Sequence, residues 1–223
     1  WYAGTADAIY QNLGFLDQYD PEYVVVLSGD HIYKTKYNDM IQQHIDNKAD
    51  CTISVMEIPQ DSISRFGMVE TTYTGRVKCF KEKPKTFPSN LANMGIYVFT
   101  YSVLRKYLID DMKDSSSSHD FGNDILPKMI SKNKRVFSYK FSGYWKDVGT
   151  IESLHQANMD IATGENNALL LYDGDMSSRI YSEDLYSVPQ FIGKKAHKIL
   201  EKRYWKILLF LLLQTKAQRY LVT

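Results

Sequence analysis

An unbroken β-branched and apolar run, Tyr23-Val24-Val25-Val26-Leu27, lies between Pro21 and Gly29, and no other stretch limits the possible folds so sharply. Such a run reads as a central parallel strand, buried on both faces. In open α/β sheets, ligands sit beyond the carboxyl ends of such strands. There the sequence places Gly29, which lets the backbone turn and be approached closely, and Asp30, a carboxylate aimed at that crevice. Asp30 is therefore a candidate to hold a metal ion or meet a ligand. The plainer alternative is that Gly29-Asp30 is a turn dipeptide capping the helix that begins near Thr35.

Around this strand the periodicity is that of an α/β domain. Before it, Thr5 reads as an N-cap, Asp7 suits the first helical turn, and Ala6, Ile9, Leu13 and Leu16 form an apolar stripe. A glycine-preceded helix start can receive an anion, although most capped helices bind none. After it, Tyr37, Met40, Ile41, His44 and Ile45 share one helix face, with His44 at the rim as a partly buried structural histidine. Cys51 to Ile58 is the next strand. Strand, helix and strand in this spacing make a βαβ unit, so the sheet is at least partly parallel and its crossover right-handed.

Beyond Pro59 the character changes. Phe66 to Tyr73 and Arg76 to Lys83 are β-rich and meet at Thr74-Gly75, which reads as a hairpin. Proline biases the preceding residue toward an extended backbone, so Glu82 and Lys83, just before Pro84, should point to opposite sides unless the strand twists or bulges there. Asn93 to Thr100 is a further strand, with Tyr97 and Phe99 as core aromatics, and a helix through Val103, Leu104, Tyr107 and Leu108 follows. Asp110 to Ser118, acidic and serine-rich, reads as a mobile loop. Asp120-Phe121-Gly122 resembles a kinase metal-binding triplet, but no His-Arg-Asp or Gly-rich loop accompanies it, and the match is rejected. Ile125 to Ile130 reads as a helix carrying Pro127, and Arg135 to Phe141 as a strand. In Gly143 to Thr150, Trp145 and Val148 flank Asp147, and Thr150 caps a helix through Ile151, Leu154, Asn158 and Ile161. Asp147 by itself reads as a turn or capping residue.

A formal net charge of +1 with both signs interspersed gives no support for nucleic acid or an acidic membrane as partner. Cys51 and Cys79 lack zinc-site spacing and read as small core residues of a reduced, cytoplasmic protein. The apolar run Ile207 to Leu213 falls far short of the roughly 20 residues that cross a bilayer. From its start at Trp1-Tyr2, without a methionine, the chain is expected to be a piece of something longer. Two aspartates, each after a strand, can bind Mg²⁺ if they converge, and a lysine nearby can hold a phosphate. That is equipment for phosphoryl or nucleotidyl transfer.

Taken in order, Trp1 to Ala8 (Trp-Tyr-Ala-Gly-Thr-Ala-Asp-Ala), Gly29 to Tyr33 (Gly-Asp-His-Ile-Tyr), Phe66 to Val69, Glu82-Lys83-Pro84, Asn93 to Phe99, Ser117 to Pro127 and Tyr144 to Thr150 resemble the bacterial glucose-1-phosphate adenylyltransferases, also called ADP-glucose pyrophosphorylases. The resemblance covers residues 1 to about 196. It implies a doubly wound, mostly parallel mixed α/β sheet of the sugar-nucleotidyltransferase type, with only the start of a C-terminal left-handed β-helix. It also implies ATP plus α-D-glucose 1-phosphate giving ADP-glucose and diphosphate, with Mg²⁺, in glycogen synthesis. Carried over to this chain, Asp30 and Asp147 are catalytic metal ligands, and Lys83 holds the sugar phosphate. Glu82 accepts hydrogen bonds from sugar hydroxyls, Gly67 permits close backbone approach, and Tyr2 lines the site. Asn93 stands where many family members have a serine that contacts the sugar phosphate.

The departures divide the chain into a partial catalytic domain over 1–162, a linker over 163–193 and an aberrant tail over 194–223. Family members begin with a Gly-rich, arginine-containing nucleotide loop that this chain does not contain, and the tail from Lys194 carries no β-helix repeat, as expected of a shifted reading frame or truncated gene. Full-length family members are homotetramers by this resemblance. Two other readings are a non-catalytic regulatory subunit of a mixed oligomer, which retention of Asp30 and Lys83 disfavours, and a related nucleotidyltransferase making another sugar nucleotide.

Overall fold

The structure, a computed structural model, describes residues 1–163. The linker from 164 on, the expected β-helix entry and the 194–223 tail lie outside the described residues. In chain order the elements begin α1 (Thr5–Tyr10), α2 (Leu13–Asp17), β1 (Tyr23–Val26), β2 (His31–Tyr33), α3 (Tyr37–Asp46) and β3 (Cys51–Glu57). They continue with β4 (Met68–Thr71), β5 (Val77–Lys81), β6 (Leu91–Thr100), α4 (Tyr101–Asp111), α5 (Leu126–Ser131), β7 (Val136–Lys140), β8 (Trp145–Asp147) and α6 (Ile151–Thr163). The described residues form two compact units, one of Trp1–Ser28 with Tyr37–Ser142, the other of Gly29–Lys36 with the described residues from Gly143 on.

The first unit is a mixed six-stranded sheet in the order β5-β4-β6-β3-β7, with β1 also paired to β6. Strand β6 is long enough to carry β3 on one edge while β4 and β1 share the other, at Met68↔Ala92 and Val26↔Tyr97. A register break between Ile53 and Val55 falls opposite Gly95, whose φ of +67° places the β6 backbone in the left-handed region that glycine tolerates. Along β3 the side chains alternate. Cys51, Ile53 and Val55 join a core with Leu104, Leu108, Ile125 and Leu126, while Thr52 meets His44 of α3. Helices therefore cover both faces, as a doubly wound domain requires.

The mixed α/β sheet expected from the sequence is present, and β1, β3, β4 and β7 all run in one direction. Adjacency differs from expectation. Strand β6, running the other way, lies between β1 and β3, so among the described residues only β3 and β7 are parallel neighbours. β1 is not a doubly buried central strand: each of its residues is half-buried, and its partner is antiparallel. A βαβ pattern fixes the relative direction of its strands but not whether a later, more apolar strand inserts between them.

Several local expectations also change. Gly4, not Thr5, is the N-cap of α1, and the Thr5 hydroxyl bonds Asp120 and the Phe121 N–H instead. His44 is fully buried rather than at a rim; its ring bridges Thr52 Oγ1 at 2.8 Å and Thr100 Oγ1 at 3.1 Å, and burial pushes its pKa down to about 4. Lys83 is left-handed at φ +42°, not extended, because its N–H continues the hairpin ladder to the Phe66 carbonyl just as the chain turns. Cys51 is a core residue as read, whereas Cys79 is only partly buried. The acidic, serine-rich stretch pairs its own groups: Asp114 takes the Ser116 N–H and hydroxyl, and Asp111 takes Ser117. The hairpin at Thr74-Gly75 stands as read, with Gly75 at φ +81°.

In the second unit β2 and β8 pair antiparallel, and α6 starts at a reciprocal cap in which Ser153 N–H donates to Thr150 Oγ1 and Thr150 N–H to Ser153 Oγ, both at 3.1 Å. Tyr144 packs with Ile32 and Ile161 and donates its hydroxyl to buried Asp160 at 3.0 Å. No helix among the described residues is long and apolar enough to cross a membrane.

Candidate active site

The sequence-derived site residues fall into two groups, one in each unit. In the second unit the β2–β8 register sets His31 opposite Asp147, with Asp30 one residue before β2. Ligand atoms of Asp30, His31 and Asp147 lie within 4.8 Å of one another. Backbone bonds hold the corner: Val148 N–H donates to the Asp30 carbonyl at 3.1 Å, and Gly149 N–H to Asp147 Oδ1 at 2.9 Å. A Cβ on Gly149 would stand 3.1 Å from Asp147 Oδ1 and 3.6 Å from Asp30 Oδ2, so glycine keeps the space between the carboxylates open. The Asp30 side chain is 61% exposed, and His31 Nε2 lies 3.6 Å from its Oδ1. The His31 ring meets Trp145 edge-on at 5.3 Å, with Nδ1 buried and without a hydrogen-bond partner. Two carboxylates with free coordination sites suit a hard divalent cation, so the donor set fits the expected ion.

In the first unit the group is built around Glu82, which follows β5. Its Oε2 lies 2.7 Å from where a Cβ would stand on Gly67 and equally 2.7 Å from one on Gly122. The carboxylate thus lies over two bare stretches of backbone. Burial pushes the Glu82 carboxyl upward, with Lys83 opposing and Asp120 reinforcing the shift. Lys83 Nζ is 3.9 Å from Glu82 Oε1 on a largely exposed side chain. The left-handed turn at Lys83 sets these two charges beside each other, where an extended backbone would separate them.

Asn93 is already engaged, donating from Nδ2 to the Tyr97 hydroxyl at 2.8 Å and accepting the Gly95 N–H at 3.0 Å. Its own N–H donates to the Gly67 carbonyl at 2.7 Å, which ties β6 to the glycine beneath Glu82. Tyr97 and Phe99 are core aromatics as read, packed on Phe121 at 5.6 Å each. Tyr2 is exposed, and the Ala3 N–H beside it is held by Asp7 at 2.8 Å.

A family model described as nucleotidyl transferase matches residues 2–164. The chain belongs to the nucleotidyl transferase family. Among curated relatives, a glucose-1-phosphate adenylyltransferase of Halalkalibacterium halodurans is 54% identical over 197 residues, 88% of this chain and 51% of that protein. Proteins of the same name from Bacillus mycoides and Clostridium botulinum are 50% and 52% identical over 196 residues, 88% of this chain and 51% and 50% of theirs. The chain spans about half the length of the curated relatives it matches.

Three residues of this nucleotidyl transferase chain enter the two groups without having been given a site role from sequence. His31 joins the aspartates through strand pairing, and the alternation of β2 gives no hint of its partner. Asp120 accepts the N–H groups of Gly122 and Asn123 at 2.8 and 2.9 Å and the Thr5 hydroxyl at 2.7 Å. An aspartate before a helical pattern is an N-cap signal, so this role was available from the sequence once the kinase comparison was set aside. Gly122, the third, matters because of Glu82, and no local pattern joins positions so far apart.

Proposed function

We propose that this chain is the catalytic part of a glucose-1-phosphate adenylyltransferase, which converts ATP and α-D-glucose 1-phosphate to ADP-glucose and diphosphate in glycogen synthesis. The observation that carries the reading is the 54% identity over 197 residues to a relative of that name. The two carboxylate groups are its structural support.

Asp30 and Asp147 would hold Mg²⁺, which when bound supplies positive charge against the triphosphate. Lys83 binds the phosphate of the sugar as a point charge. Glu82 accepts hydrogen bonds from sugar hydroxyls, and Gly67 leaves the sugar room to approach the backbone. Asn93 keeps one Nδ2 hydrogen for the same ligand, and Tyr2 lines the site. A phosphate oxygen of glucose 1-phosphate attacks the α-phosphorus of ATP in line; one P–O bond forms as the bridging P–O bond to diphosphate breaks. No covalent nucleophile on the protein is required.

Diphosphate release by the purified chain with ATP, glucose 1-phosphate and Mg²⁺, beside Asp30→Asn, tests the reading, together with titration of glucose 1-phosphate. Release lost on substitution supports it. A folded chain that neither releases diphosphate nor binds glucose 1-phosphate overturns it.

A further inference from the structure

Away from both groups, α4 ends in a carboxylate that has left water almost completely. The Asp111 side chain is 2% exposed, and such a group is stable only if donors meet both of its oxygens. Lys128 Nζ reaches Oδ1 at 2.5 Å, His119 Nδ1 lies 2.9 Å from Oδ2, and the Ser117 hydroxyl lies 2.9 and 3.0 Å from the two oxygens. Burial opposes ionisation, but the bonds from Lys128, His119 and Ser117 outweigh it and hold the Asp111 carboxyl below the usual range.

What this carboxylate grips is an unusual backbone. His119 is left-handed at φ +57°, a conformation that a residue with a Cβ keeps only when its surroundings impose it. In that conformation its carbonyl faces the start of α1 and accepts the N–H groups of Ala6 at 2.8 Å and Asp7 at 3.3 Å. Helix α1 has no side-chain cap, so a carbonyl from far along the chain satisfies donors that the helix cannot pair internally. Gly4 completes the fit, since a Cβ there would stand 2.3 Å from the His119 oxygen. One residue on, Asp120 takes the Thr5 hydroxyl and the Gly122 N–H, and Gly122 lies under the Glu82 carboxylate.

We propose that Asp111 is a positioning residue: through Ser117 and His119 it fixes the 117–122 segment, and with it both the floor under Glu82 and the helix start that carries Tyr2. Its ligand effect rests on the glucose 1-phosphate reading above, whereas its effect on the backbone does not. Lys128 supplies the charge that keeps the buried carboxylate ionised.

Amide hydrogen exchange and glucose 1-phosphate titration on the full chain, with Asp111→Asn and Lys128→Met, form the test. An asparagine carries no charge and keeps a single acceptor oxygen, so the charge-paired bond from Lys128 is lost. Losing a bond to a buried charged group corresponds to about 10- to 100-fold in the local opening equilibrium. The Ala6, Asp7, Gly122 and Asn123 amides of Asp111→Asn should therefore exchange about 10- to 100-fold faster, with those of β3 and β6 unchanged. Glucose 1-phosphate should bind about 10-fold more weakly with ATP affinity unaltered, and Lys128→Met should show the same pattern at smaller size. Uniform acceleration across the sheet, or no acceleration at these amides, overturns the proposal. Should Asp111→Asn not fold, Ser117→Ala leaves the carboxylate in place and should give the weaker form of the pattern; unchanged exchange there is equally fatal. If the local pattern appears while the parent chain binds no glucose 1-phosphate, the positioning role stands and the substrate reading fails.

Discussion

The Asp30 group and the Glu82 group both present carboxylates, but they are held in opposite ways. Asp30 and Asp147 are fixed by a three-residue strand pairing and two backbone N–H bonds, with Asp30 largely in water. Glu82 is half-buried over two glycines whose positions depend on β6 and on the segment led by Asp120. Where a carboxylate stands in water on a short ladder, its chemistry can be removed with little cost to the fold. Where it rests on distant backbone, fold and ligand affinity are coupled.

The largest expected effect separates chemistry from stability. On the proposed adenylyl transfer, Asp30→Asn should lower diphosphate release by about 10²- to 10³-fold, the scale of removing one electrostatic contact to a reacting centre. Its thermal unfolding should stay within about 0.5 kcal/mol of the parent, as for other exposed sites. A large loss of stability there would break the comparison.

Gly4→Ala should do the reverse. Its φ of −164° suits any residue, but the new Cβ would meet the His119 carbonyl, a backbone atom that cannot swing aside. Destabilisation of about 2–3 kcal/mol in denaturant titration is expected, as for overpacking. Gly122→Ala is the sharper probe because it meets the end of a flexible side chain, Glu82 Oε2. Glu82 can rotate, so unfolding should change by less than about 1 kcal/mol, while the KM for glucose 1-phosphate rises about 10-fold with the KM for ATP unchanged. Equal changes in both KM values would mean that the glycine serves packing alone.

A pH-dependent effect lies beneath the sheet. Thr100 Oγ1 donates to the Ala49 carbonyl, so it accepts from His44 Nε2–H, and Thr52 donates to Nδ1. The network thus assigns the neutral tautomer. Burial lowers the folded pKa to about 4, with Asp50 opposing, against 6.5 for the free side chain. The folded state then resists a proton that the unfolded chain accepts. Stability is full above pH 6.5 and falls by on the order of 1 kcal/mol per pH unit as pH drops toward 4. Denaturant titrations of His44→Gln across that window should show a shallower slope; an identical slope assigns the titration elsewhere.

Sequence alone determined what neighbours in the chain decide. The alternation of β3, the hairpin at Thr74-Gly75 with its positive-φ glycine, the Thr150 cap and the apolar stripe of α3 each depend on residues a few positions apart, whose preferences are steric and hydrogen-bonding rules of the local backbone. The ordered motifs also marked Asp30, Asp147, Glu82 and Lys83 as a set. Tertiary structure decided the rest. β6 inserted between β1 and β3 because direction along a sheet does not fix adjacency, and burial favours the longest apolar strand at the centre. Thr5 is not a cap because the His119 carbonyl takes the first helix amides while the Thr5 hydroxyl meets Asp120 and the Phe121 N–H, and Lys83 leaves the extended region to close a ladder bond with Phe66. His31 joined the aspartates, and Gly122 lay under Glu82, through contacts between residues far apart in the chain. Such contacts are set by how whole elements pack, which no local propensity encodes.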